Sequence, residues 1–151
     1  MANVQAVCTS AKVDFLNAIH ALGTTVTRGA TTADSFKAAL YLASGSQGAG
    51  TTAYSATNEV SGTGYTAGGI AVPAWTAPSS SGTTAFTTPS GNLVYTTVTL
   101  TTAFDCVTIY NSTQSNKALS VHTFGSQTIT AGTFTLTMPT NDSTNGLIRI
   151  A

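Results

Sequence analysis

Apolar and polar residues alternate with a period of two in several segments of this chain and follow a helical period in one place only. In residues 35–44, Phe36, Ala38, Leu40 and Leu42 fall on one face and Lys37, Ala39, Tyr41 and Ala43 on the other, the pattern of a half-buried strand. Thr133-Phe134-Thr135-Leu136-Thr137-Met138 alternates strictly, so one face belongs to a core and the other to solvent or a partner. Further strands are expected near Ile70, Ala71 and Val72 and over residues 84–88, 93–100, 104–110, 118–124, 126–130, 133–138 and 146–150. Turn signals separate them at Ser90-Gly91-Asn92, residues 111–116, Ala131-Gly132 and residues 139–145. The helical exception is residues 10–23, where Phe15, Leu16, Ile19 and Leu22 share a face, Thr9 or Ser10 offers an N-cap and Gly23 a stop.

Many short strands with one helix predict an all-β fold, an antiparallel two-sheet β-sandwich, jelly-roll-like or immunoglobulin-like, with one short N-terminal helix. Residues 1–34 form an arm and helix and residues 35–151 the sandwich, together a single domain, since 151 residues suit one core. Residues 1–11 read as an arm without a core of its own to join. Pro73 and Pro78 bracket Trp75 in an extended stretch suited to a sheet edge or loop, and Ser79-Ser80-Ser81-Gly82 reads as a loop tip.

Composition adds a surface chemistry to that fold. Charged residues are only 7% of the chain and balance to zero, with Thr and Ser in their place, so little repulsion keeps copies apart. No basic patch is available for nucleic acid, no stretch is apolar enough for a membrane span, and no secretory leader is visible at the N-terminus. A secreted β-domain is the competing reading of so little charge and so much Thr. Cys8 and Cys106 lie far apart without metal-ligand spacing; Cys106, inside an apolar run, reads as a buried hydrophobe, with a single disulfide as the other option.

Residues 51–69 hold Glu59, the only acidic residue between Asp34 and Asp105, among aromatic rings and glycines. Tyr54, Val60 and Tyr65 give this loop anchors that a flexible tether lacks. An isolated carboxylate in an uncharged stretch accepts backbone N–H groups or pairs with one arginine, here Arg28, Arg149 or a basic residue of a partner. The block Asn58-Glu59-Val60-Ser61-Gly62-Thr63-Gly64-Tyr65 resembles a segment of small structural proteins of tailed bacteriophage virions. The resemblance extends to Phe36-Lys37-Ala38-Ala39-Leu40-Tyr41 and to Ile109-Tyr110-Asn111-Ser112-Thr113-Gln114-Ser115-Asn116-Lys117-Ala118, roughly three quarters of the chain.

Candidate chemistry is sparse. His20 and His122 have no second histidine, cysteine or carboxylate at metal-ligand spacing and no orienting group nearby in sequence. Asp14, Asp34, Glu59, Asp105 and Asp142 are scattered, where a glycosidase needs two carboxylates about 5 to 10 Å apart in an aromatic cleft. Gly62-Thr63-Gly64 and Gly68-Gly69 match no phosphate-binding loop, and the sequons at Asn111 and Asn141 suit turns. No catalytic, cofactor-binding or metal residue is therefore expected, and the candidate interface residues are Glu59, Tyr54, Tyr65 and Trp75, aromatic anchors around one carboxylate.

The resemblance implies a non-enzymatic virion protein, a capsid decoration or cement protein on the outer capsid surface, made in the host bacterial cytoplasm. Its partners would be the major capsid protein and copies of itself as a homo-oligomer, dimer or trimer, with no nucleic acid and no membrane. A tail fibre or receptor-binding component contacting a host-surface glycan is the alternative, and a small hydrolase on a β-sandwich is a third class.

Overall fold

The longest elements are two strands of a single hairpin. In the computed structural model, which describes residues 2–8, 10–11, 15, 19–24 and 32–151, eight strands form two antiparallel sheets. They are β1 (Ala6–Val7), β2 (Phe36–Leu42), β3 (Ile70–Ala71), β4 (Ser79–Ser81), β5 (Thr84–Thr87), β6 (Leu93–Asn111), β7 (Lys117–Leu136) and β8 (Ile148–Ile150). The larger sheet has the order β1-β7-β6-β2-β3 and the smaller β4-β5-β8.

Strands expected separately over 93–100 and 104–110 are one strand, β6, and the three expected over 118–138 are joined in β7. Their apparent breaks are register shifts, at which an extra residue bends a strand without ending it. Ala131-Gly132, read as a turn, is such a place: Ala131 adopts φ 46° while Gly132 still pairs with Val98. The hairpin turn follows Asn111, whose Oδ1 accepts the N–H groups of Thr113 and Gln114. Ser79–Ser81, read as a loop tip, is strand β4, folded onto β5 about Gly82 at φ 58°.

The helix expected over residues 10–23 is not seen as an element. Ser10, Ala11 and Phe15 are helical, Ile19, His20, Ala21 and Leu22 are not, and Thr9, residues 12–14 and 16–18 lie outside the described residues. Tertiary bonds override the helical pattern at its end: the Ala21 N–H donates to Asp34, and the His20 ring sits against Asn111.

The arm also has a core to join. Ala6 pairs with Val121 and Val7 with Ser120, Cys8 and Ala11 are fully buried, and the Asn3 side chain donates to Asp105. One apolar core contains Cys8, Leu40, Tyr95, Phe104, Ile109, Phe134 and Ile148, so it receives side chains from the arm, both long strands and the smaller sheet. Cys8 and Cys106 are both free and buried, each thiol pushed up by burial, to about 11 for Cys8 and about 12 for Cys106. Register holds them apart, for the Cys8 N–H bonds to Leu119 while Cys106 pairs with Thr123 farther along β7.

Candidate functional site

Strand β2 is hydrogen-bonded to β6 along one side. On its other side β3 pairs with only Lys37 and Ala38, so most of the outward N–H and C=O groups need partners from elsewhere. Residues 58–72 and two phenols supply them. The Leu42 N–H donates to the Asn58 carbonyl at 2.9 Å, and the Leu40 carbonyl accepts from the Val60 N–H at 3.0 Å. The Leu40 N–H donates to the Tyr65 hydroxyl at 3.1 Å, and the Ala38 carbonyl accepts the Tyr95 O–H at 2.9 Å. The Phe36 carbonyl accepts the Val72 N–H at 2.9 Å, which completes the seam.

Glu59 holds this seam in place. Its carboxylate accepts the O–H of Tyr54, the O–H of Tyr65 and the N–H of Gly68, each at 2.7 Å. Tyr65 therefore relays a backbone amide of β2 to the carboxylate, accepting from Leu40 and donating to Glu59. The Gly68 carbonyl accepts the Tyr110 O–H at 2.7 Å, and the Tyr110 ring stacks on Tyr54 with centroids 4.9 Å apart. Tyr65 stacks on Tyr95 at 6.1 Å, while Tyr41 pairs with Glu59 across a β-bridge and donates its O–H to the Ser55 carbonyl. All five tyrosines of the chain thus surround one carboxylate.

Electrostatics keep these phenols as donors. Burial, then the hydrogen bond to Glu59, pushes Tyr54 up to about 12, and burial followed by the same carboxylate raises Tyr95 and Tyr110. Tyr41 and Tyr65 are raised too, burial again being the largest cause. Hydrogen bonds to a carboxylate are charge-assisted and about twice as strong as neutral ones, and three donors converge on Glu59.

The loop reaches two further strands. Thr63 forms a bridge to Thr99 of β6, whose N–H donates to the Thr63 carbonyl at 2.9 Å, and the Ala118 N–H of β7 donates to the Thr52 carbonyl. Two glycines make the close approach possible. Gly64 (φ 77°) leaves no room for a Cβ beside the Thr97 carbonyl, nor Gly69 (φ 71°) beside the Ala38 carbonyl.

Of the four candidate interface residues, Glu59, Tyr54 and Tyr65 come together and Trp75 does not. Trp75 is buried edge-on against Phe36, centroids 5.6 Å apart, and bridges Pro89. Of the arginines considered for Glu59, Arg149 donates to the Ser143 carbonyl instead, and Arg28 lies outside the described residues.

Two polar groups escaped sequence reading. The Asn111 side chain, oriented by the two N–H groups its Oδ1 accepts, donates from Nδ2 to Asp34 at 2.8 Å and to His20 Nδ1 at 3.2 Å. A neutral His20 ring then carries its proton on Nε2. Asp34 also accepts from Gln114 and from the Ala21 N–H, so it ties residues 20–21 to the hairpin turn. The second group is Ser120 with His122, Oγ to Nε2 at 2.9 Å, which period-two spacing puts on one face of β7. It has the outline of a nucleophile and base, yet Ser120 is fully buried and burial lowers His122 to about 4, so an incoming substrate has no access to the hydroxyl.

Among the described residues no group of three or more His, Cys, Asp or Glu is placed to hold a metal ion, and no helix is long and apolar enough to cross a membrane. Comparison of the chain with protein-family models, with curated proteins and with solved structures returned no match.

Proposed function

We propose that this chain is a non-enzymatic structural protein of a tailed-phage virion, a capsid decoration protein that cements the outer surface of the major capsid lattice. The observation that carries the reading is the pairing of an internally hydrogen-bonded loop with an uncharged far half of the β6–β7 hairpin. The segment that resembles virion proteins uses its carboxylate, phenols and glycines on its own sheet edges, which suits a packing element better than a reaction centre. Beyond it, the far half of the β6–β7 hairpin exposes Thr96, Thr101, Thr102, Thr128, Thr130, Thr133 and Thr135, with Val94 41% exposed among them. We read the two sheets as layers of a sandwich whose outer Thr face adheres to the lattice.

Adhesion by this surface would be weak for one copy and strong for an array, because repeated contacts multiply modest affinities. The alternative, a tail fibre component binding host-surface glycan, calls for open ring faces. Trp75 is buried, and Tyr54 and Tyr65 are half-buried with their hydroxyls engaged. Counting copies in purified particles tests the proposal: a cement protein is present on the order of hundreds of copies, its loss lowers capsid resistance to heat or chelators, and low tens would contradict it.

A further inference from the structure

Among the described residues, the start of β7 is covered along its outward edge and the rest of that edge is not. Along the edge facing away from β6, β1 pairs with Val121 and Ser120, the Cys8 N–H bonds to Leu119 and Thr52 takes the Ala118 N–H. From His122 to Leu136 that edge receives no backbone hydrogen bond from any other described strand or loop. Residues 125–128, Thr130, Ala131, Thr133 and Thr135 are exposed along it. A bare edge of this length is a template for another strand, and proteins that must stay single blunt such edges with lysine, proline or inward charge. Residues 118–138 contain no Lys, Arg, Asp, Glu or Pro.

We propose that β7 pairs with β7 of a second copy of this chain, antiparallel about a twofold axis, over a stretch that includes residues 126–130, joining the two larger sheets into one. The chemistry of the edge asks for an extended strand, and β1 already pairs antiparallel with the same edge, so a second strand would prolong an existing line. Pairing a strand with itself sets each residue opposite one from the same run, which any run of like charges forbids. This run carries none and offers Thr and Ser, whose side chains form favourable cross-strand pairs. Zero net charge adds no long-range repulsion between copies. Such pairing deepens the virion reading by naming the surface through which copies would associate, and the two can fail separately.

The test is sedimentation and amide hydrogen exchange on the full chain and on a Thr128→Lys, Thr130→Lys variant. Both positions are exposed, so the variant keeps its fold, checked by an unchanged circular dichroism spectrum and by a melting temperature equal to that of the wild type at concentrations too low for dimerisation. The wild type should sediment as a dimer with slow exchange within residues 123–136. The lysines should weaken dimerisation by roughly tenfold or more and speed exchange there, while Thr128→Ser, Thr130→Ser should remain dimeric. A wild-type monomer, a dimer indifferent to the lysines, or an open-ended polymer would overturn twofold pairing. A dimer that the lysines dissolve but that fails to bind capsids would overturn the virion reading and leave the pairing standing.

Discussion

The outward edge of β2 and the outward edge of β7 belong to the same sheet and are treated in opposite ways. At β2, residues 58–72 and the hydroxyls of Tyr65 and Tyr95 take up the exposed backbone groups, and Glu59 fastens the covering segment with three bonds of 2.7 Å. At β7, cover by the described residues ends at Val121, and the following residues are largely exposed and uncharged. Strand edges invite pairing unless closed or charged. One edge is therefore sealed by the chain itself, using its few ionisable and aromatic residues, and the other is left available.

Raising the pH should break the closed edge as a whole. Folding raises the phenol pKa of Tyr54 from 10 to about 12, so the stability it contributes is fully present below about pH 10 and is lost as pH rises through about 12. Thermal melts from pH 8 to 12 should fall steeply above pH 10, and a flat profile would count against the network. Next in size is Gly69→Ala, which sets a Cβ against the Ala38 carbonyl at a positive φ and should cost about 3–5 kcal/mol in denaturant unfolding. Removing the carboxylate with Glu59→Ala strands three donors and should cost about 2–4 kcal/mol, Glu59→Gln about half of that. On the open edge, Thr128→Lys with Thr130→Lys should move the unfolding free energy of the monomer by no more than about 0.5 kcal/mol, since exposed positions tolerate substitution. Equal costs at the two edges would erase the distinction between them.

Much of this was legible in the sequence. The alternation around Phe134 and Leu136 placed the end of β7 and its buried face, whereas that around Phe36 and Leu40 placed β2 but not its burial, since Ala39 and Tyr41 on the opposite face are fully buried too. The continuity of β6 and β7 was not, since Ala131-Gly132 has the composition of a turn whether it reverses the chain or only bends a strand. Ser79–Ser81 has no apolar alternation to betray a strand, and its pairing with β5 is fixed by the turn at Gly82. Glu59 stood out by isolation, and Tyr54 and Tyr65 by proximity to it. Its isolation in sequence points to an arginine partner, although phenols and an amide suffice when they converge. Tyr95 and Tyr110 stand out in the sequence only as aromatic candidates for partner contacts, and they join the network of Glu59 through the fold of β6, which no local spacing encodes.

The difference between the edges is tested most directly by amide hydrogen exchange on Glu59→Ala beside the wild type. Loss of the carboxylate should speed exchange at Leu40, Leu42, Val60 and Gly68, the amides of the seam, and leave residues 123–136 unchanged. Acceleration spread evenly over both regions, or none at the seam, would contradict the role of Glu59 as the fastener of the β2 edge.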